Sequence, residues 1–299
     1  MYNPEQKVKL LIQSGINKVK LPIIKTIVLS IFGGMFVGAS SALATICSFN
    51  SDLEYPTFLF GLMFPIGTII AYIAGGELFP GNCLLFIPFA CGFITLLELL
   101  LSWLLVLFGN FIGSLIISLL IVYGHIPNMF EVTLSQLIIN IGIEKCSLNF
   151  GEAFIQSMLA NILNCAGIWM AIGGQEIKSI ILALFPPLFA IGVCNLFHSV
   201  ADMYLILAAI FTGYEYGLDS IQANWGKLFY KNIIPVVIGN IVGGCVFFGL
   251  PHYYIYLNQE NKIQPPMQTI TDNTNANDLD ISKRALNTPS VINNANPNQ

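Results

Sequence analysis

Four ionisable side chains interrupt the apolar stretches of this chain: Glu77, Glu98, His198 and Asp202. Each is a candidate functional group, because holding a charge in hydrocarbon costs several kcal/mol. Imidazole alone has an ordinary pKa near neutrality, about 6.5, so it can exchange a proton there. His198 therefore either faces an aqueous path as a proton relay or is hydrogen-bonded inside a helix bundle. Asp202 stands one helical turn further on. Its carboxylate either pairs with His198 and fixes the tautomer, or accepts amide hydrogens at the start of the next helix. Glu77 either binds loop amides or transfers a proton, and Glu98 is read as a span-boundary residue.

Other chemistry finds no constellation. His125 and His252 lie near opposite span ends, no C-x-x-C or other metal spacing occurs, and no Ser-His-Asp order, phosphate loop or basic nucleic-acid patch is present. The expectation is a protein that is not an enzyme, with no metal, no cofactor and no nucleic-acid partner. Six of the seven cysteines fall in apolar windows, where they read as small packing residues.

The elements that must position these groups are membrane helices. The 299 residues are 55% hydrophobic and 9% charged, against roughly 25% charged in soluble domains. Six windows, near 26–49, 58–94, 96–123, 152–172, 178–213 and 232–257, each supply the ~20 apolar residues that span a bilayer core. The second and fifth are too long for simple spans and are interrupted midway, so both read as broken helices. Basic residues set orientation: with the N-terminus inside, nine fall on the cytoplasmic side and three (Lys145, Lys227, Lys231) outside. That places both termini in the cytoplasm. The first 25 residues are too polar and basic for a cleavable signal peptide.

Residues 5–20 place Val8, Leu11, Ile12 and Ile16 at helical spacing between lysines, as in an amphipathic surface helix. We therefore divide the chain into an N-terminal helix over 1–25, a transmembrane domain over 26–258, and a disordered cytoplasmic tail over 259–299, where Asn, Pro, Thr and Asp dominate. An internal repeat is visible: residues 108–113 (FGNFIG) answer 238–243 (IGNIVG), and 77–80 (ELFP) echo 195–198 (NLFH). If each half holds three spans, the halves enter the membrane from opposite sides as inverted repeats. Irregular backbone at that depth is tolerated only where protein buries it or it lines a cavity, so the two breaks are expected to line a pore. The glycines beside each repeated Asn let helices approach closely. Phe64 and Phe79 are either constriction residues or core.

Over residues 15–256 these motifs, in this order, resemble the formate/nitrite transporter family. Residues 75–82 (GGELFPGN) look like the loop that breaks its second span, 160–169 (ANILNCAGIW) like its fourth-span signature, and 198–203 (HSVADM) like the loop carrying its central pore histidine. The resemblance implies an all-α protomer with six transmembrane helices in two inverted three-helix repeats, helices two and five broken. It implies an aquaporin-like protomer and a homopentamer in membrane lipid, with one pore per protomer. It implies Phe79 as a gate on the first loop with Glu77, Leu78, Pro80 and Gly81 around it, and Phe64 narrowing the outer side. Ile191 and Asn164 stand at the other constriction, Asn161 near the central His198, and Lys18 and Lys145 in the inner and outer vestibules, where they gather anions. The chain departs from the family's pattern at Pro80 (usually Thr), Asp202 (Asn), Phe197 (Glu), Asn195 (Gly) and Asn164 (apolar).

The activity that the resemblance implies is proton-coupled passage of small monocarboxylates such as formate, lactate and acetate. An anion crosses a dry apolar constriction at great cost, and falling polarity raises a carboxylate's pKa. A proton from water or His198 then completes a neutral acid. The alternatives are a nitrite or hydrosulfide anion channel and a non-transporting membrane scaffold. The expected location is the plasma membrane.

Overall fold

The computed structural model describes residues 2–49, 56–127 and 131–257, with backbone alone at 131 and 132. The tail expected over 259–299 lies outside the described residues. Among them, every regular element is a helix.

Helix α1 (Pro4–Val19) begins on a capping box in which the Asn3 side chain accepts from Gln6 N–H and the Gln6 side chain accepts from Asn3 N–H, with Pro4 in the first turn. It buries Val8, Leu11 and Ile12, three of the four apolar positions expected to face inward. Next come α2 (Ile23–Phe49), α3 (Pro56–Ala74), α4 (Phe79–Ala90), α5 (Leu96–Tyr123), α6 (Glu131–Lys145), α7 (Phe150–Ala171), α8 (Ile177–Val193), α9 (Ser199–Tyr216) and α10 (Trp225–Tyr256). Helices α2, α3, α5, α7 and α10 are long and apolar enough to cross a membrane, and α4 and α8 are shorter apolar helices.

The sequence encodes these boundaries locally. Thr95 and Glu98 cap α5 reciprocally, and Asn149 and Glu152 do the same for α7. Glu98 is thus a first-turn capping residue, and two of its contacts run to Thr95. Helix α3 ends at Gly75 in the left-handed region (φ 82°), and residues 75–78 carry no regular structure before α4. Helix α8 ends at Val193, and residues 194–198 lead into α9 through Asn195 at φ 50°. Helix α10 contains two wide π-type segments, Leu228–Ile233 and Val242–Gly249.

Helix α6 is a correction, since the windows read from hydropathy leave residues 131–145 in an outside loop that carries Lys145. Its apolar positions Leu134, Ile138 and Ile139 are buried. Leu134 and Ile138 share one cluster with Ala42, Tyr204, Leu205 and Ala208. The segment is too short to span a membrane, so a search for spans passes over it.

The repeated Gly and Asn residues make matching contacts. A Cβ on Gly109 would meet Ile27 O, Ser30 Cβ and Ile31 N; one on Gly239 would meet Phe154 O, Ser157 Oγ and Met158 N. A Cβ on Gly113 would meet Ile31 O, and one on Gly243 would meet Met158 O. Between these glycines, Asn110 Nδ2 donates to Ser30 O at 2.7 Å and Asn240 Nδ2 to Ser157 O at 2.9 Å. Helix α5 therefore meets α2 as α10 meets α7. Small residues permit the approach, and a buried amide fixes its height.

Candidate functional site

Residues 75–78 are held by backbone hydrogen bonds and by Asn110. Glu77 N–H donates to Leu29 O at 3.1 Å, Asn110 Nδ2 donates to Glu77 O at 2.8 Å, and Asn110 Oδ1 accepts from Phe79 N–H at 2.9 Å. One side chain thus satisfies several of the polar groups that irregular backbone exposes. Pro80 falls in the first turn of α4, where a missing N–H costs nothing. Gly81 lies against Ile168, whose Cδ1 would be 2.8 Å from an added Cβ.

Both breaks place Leu and Phe on opposite sides. Leu78 and Leu196 pack against one cluster that includes Phe64, Ile191, Val200 and Ala201. Phe79 packs instead with Cys83, Val106 and Cys245, its ring 6.4 Å from Trp103. Phe197 packs with Ala153 and Val236. The loop residue that joins Phe64 and Ile191 is therefore Leu78, where the resemblance points to Phe79. Leu196 is a residue that sequence reasoning misses, although the ELFP/NLFH echo pairs it with Leu78.

His198 is the N-cap of α9 and is 2% exposed. Its Nδ1 accepts from Ala201 N–H at 3.4 Å, which assigns the hydrogen of the neutral ring to Nε2. Nε2 has no hydrogen-bond partner among the described residues. The ring of Phe64 stands edge-on to it, with centroids 5.7 Å apart, and also stacks on Phe60 at 5.9 Å. The histidine thus presents a free donor beside an apolar wall.

Among the described residues, no hydrogen bond or ion pair runs from the Asp202 carboxylate to the His198 ring. The carboxylate lies 3.6 Å from Lys145 Nζ and accepts from Asn232 Nδ2 at 3.1 Å. Lys145 also donates to Asn195 O at 3.0 Å and lies over the Phe197 ring at 4.3 Å. With 2% of its side chain exposed, Lys145 is a buried counter-charge to Asp202, in contrast to the vestibule cation that the resemblance implies. Asn232 carries no signal in the sequence; its amide meets Asp202 from within a π-type turn.

Lys18 is paired too. Its Nζ lies 2.8 Å from Glu77 and donates to Asn82 Oδ1 at 2.9 Å. Among the described residues the partner of the Glu77 carboxylate is therefore a lysine, and no hydrogen bond joins it to a loop amide. Lys18 remains about one-third exposed and lines a cleft of about 480 Å³ with Gln13, Asn17 and Glu77.

Asn161 and Asn164 are buried on α7. Asn161 Nδ2 donates to Asn240 O at 2.7 Å and its Oδ1 accepts from Asn164 Nδ2 at 3.2 Å. The first bond ties α7 to α10, and among the described residues neither amide bonds His198. A small cavity of about 10 Å³, scarcely room for one water, is lined by Phe60, Phe64, Lys145, Ile191, Ala201 and Asp202. It adjoins the Phe64 wall on the Lys145 side. The arrangement offers apolar walls, one free imidazole donor and two ion pairs that neutralise nearby charge.

One family, the formate/nitrite transporters, matches residues 5–254. The chain is 29% identical over 273 residues to the uncharacterized transporter YrhG of Bacillus subtilis, covering 90% of this chain and 98% of YrhG. It is 28% identical over 267 residues to the formate channel BtFdhC of Bacillus thuringiensis, covering 88% and 99%. The structure of a pentameric formate channel with formate bound superposes with a TM-score of 0.70 at 29% identity, covering 79% of this chain and 98% of that one.

Proposed function

Because this chain belongs to the formate/nitrite transporter family, a family of membrane transporters rather than enzymes, we propose that it passes small monocarboxylates across the membrane together with a proton. Formate is the first substrate to consider, since related proteins are formate channels. Lactate and acetate share its chemistry.

The observation that carries this reading is the free Nε2 of His198 beside the Phe64, Ile191, Leu78 and Leu196 cluster. The apolar walls on either side of that donor exclude a bare carboxylate, whose desolvation is costly, and pass the neutral acid. Water beside His198 delivers the proton, or His198 relays one, releasing its Nε2–H as Nδ1 takes up another. Phe64, Ile191 and Leu78 narrow the passage together. Lys18, partly exposed, draws the anion on the inner side. Asn161 and Asn164 hold the wall between α7 and α10, and Lys145 with Asp202 sets the electrostatics of the second break.

The architecture we propose is six spans in two inverted halves with an aquaporin-like protomer, α3–α4 and α8–α9 being broken spans. The matched contacts of Gly109 and Gly113 with those of Gly239 and Gly243 support it. The protein assembles as a homopentamer, a reading supported by the related pentameric channel. The N-terminal segment 1–25, which carries α1, is cytoplasmic and 26–258 is the transport domain, in the plasma membrane with both termini cytoplasmic.

The test is uptake of labelled formate and lactate by proteoliposomes over a series of external pH values. Electroneutral flux that rises as external pH falls is expected. Flux indifferent to the pH gradient sinks the proton coupling, and no flux sinks the transport reading.

A further inference from the structure

Residues 75–82 (GGELFPGN) carry no side-chain hydroxyl, so the first break brings none to His198. A hydroxyl is available on α3 instead. Thr68 is 3% exposed and its Oγ1 has no partner among the described residues.

Ser135, Ser199 and Thr212 share that state, but most buried hydroxyls of the long helices do not. Thr26, Ser30, Ser41, Thr45 and Ser118 each donate to the carbonyl four residues back, the ordinary resort of a hydroxyl in a helix. The equivalent carbonyl for Thr68 is that of Phe64, which instead accepts from Ser40 Oγ at 3.3 Å.

Its direction follows from its neighbours. Residues four apart share a helix face. Phe64 lies one turn before Thr68 and Tyr72 one turn after, and both pack on the cluster holding Ile191, Val200 and Ala201. Gly67 faces α2, and Ile70 and Ile73 are exposed. Thr68 therefore faces that same cluster, one turn along from the ring that meets His198 edge-on.

We propose that Thr68 is a substrate-binding residue of this transporter, its hydroxyl and the Nε2–H of His198 being the two donors that receive a small carboxylate. The inference rests on the monocarboxylate reading above. An apolar wall with a second donor holds both of the substrate's oxygens, where His198 alone would hold one. Ser199 Oγ is the competing free hydroxyl, and the test must separate the two.

The experiment is formate uptake by proteoliposomes carrying wild type, Thr68→Val, Thr68→Ser and Ser199→Ala, with formate-induced thermal stabilisation of the purified proteins in detergent as a second readout. Thr68→Val keeps the shape and removes the hydroxyl. It is expected to raise KM about tenfold or more, as loss of a hydrogen bond to a charged group does, and to abolish the formate-induced shift. Thr68→Ser and Ser199→Ala keep both near wild type. If Thr68→Val fails to assemble, Thr68→Ala serves as the hydroxyl-free variant. Wild-type uptake with an unchanged KM in the hydroxyl-free variant, or a shift in KM at Ser199→Ala instead, overturns the role of Thr68 and leaves the transport reading standing. A wild type with neither uptake nor a formate-induced shift overturns both.

Discussion

The ammonium of Lys145 lies 3.6 Å from the carboxylate of Asp202, with both side chains sealed from solvent. Removing one partner of such a pair strands the other charge, at a cost of about 3–5 kcal/mol. Lys145→Met is therefore expected to lower the melting temperature sharply, and Lys145→Met with Asp202→Leu to recover most of it. Thermal unfolding of the purified proteins checks this, and equal losses in the single and double variants would refute a coupled pair.

Lys18 and Glu77 behave differently, because the lysine side chain is about one-third exposed. Solvent screens the pair, so Lys18→Met should cost less than about 1 kcal/mol. Stability in low and high salt measures it: the difference from wild type should shrink as salt rises.

Leu78 and Phe79 adjoin in sequence and face different clusters. Phe79→Ala removes a buried ring and should cost about 3–5 kcal/mol in stability, with the selectivity of transport preserved. Leu78→Ala should instead widen the passage, seen as uptake of larger monocarboxylates relative to formate. The reverse pattern would return the gate to Phe79.

His198→Asn should assemble as the wild type does, since asparagine is also a good N-cap for α9. Its rate and pH profile of uptake are expected to change. Size-exclusion chromatography and the pH series together decide, and an unaltered profile would make His198 a cap and nothing more.

Gly113 and Gly243 sit against the backbone of Ile31 and Met158. Alanine at either must push the helices apart, at about 1–3 kcal/mol or more. Similar losses in melting temperature are expected from the two substitutions, because the contacts match.

Much of this architecture is legible in the residues. The span at 96–123 coincides with Leu96–Tyr123, because a long apolar run behind a Thr-x-x-Glu box leaves little choice of start. The Gly-Asn-x-x-Gly motifs mark the tight crossings, and His198 stands out as an ionisable group in an apolar segment. Relationships across the fold are harder to see. Composition shows that Lys145 is basic, but only the docking of α6 brings it to Asp202. Order along a loop does not tell which of Leu78 and Phe79 turns inward, since neighbouring elements decide that. Helix α6 falls between categories, too short for a span and too apolar for an ordinary loop.

Each of the two slack segments of α10 stores a spare residue, because a turn closed from i to i+5 holds one more than an α turn. That residue resets the angular phase of the helix beyond it, by about 100°. Asn232, whose amide meets Asp202, lies inside the first segment, and Asn240, whose amide meets the Ser157 carbonyl, lies just before the second. One helix thus serves two neighbours, and a single-residue deletion within either segment would turn one side of the helix out of step with the other.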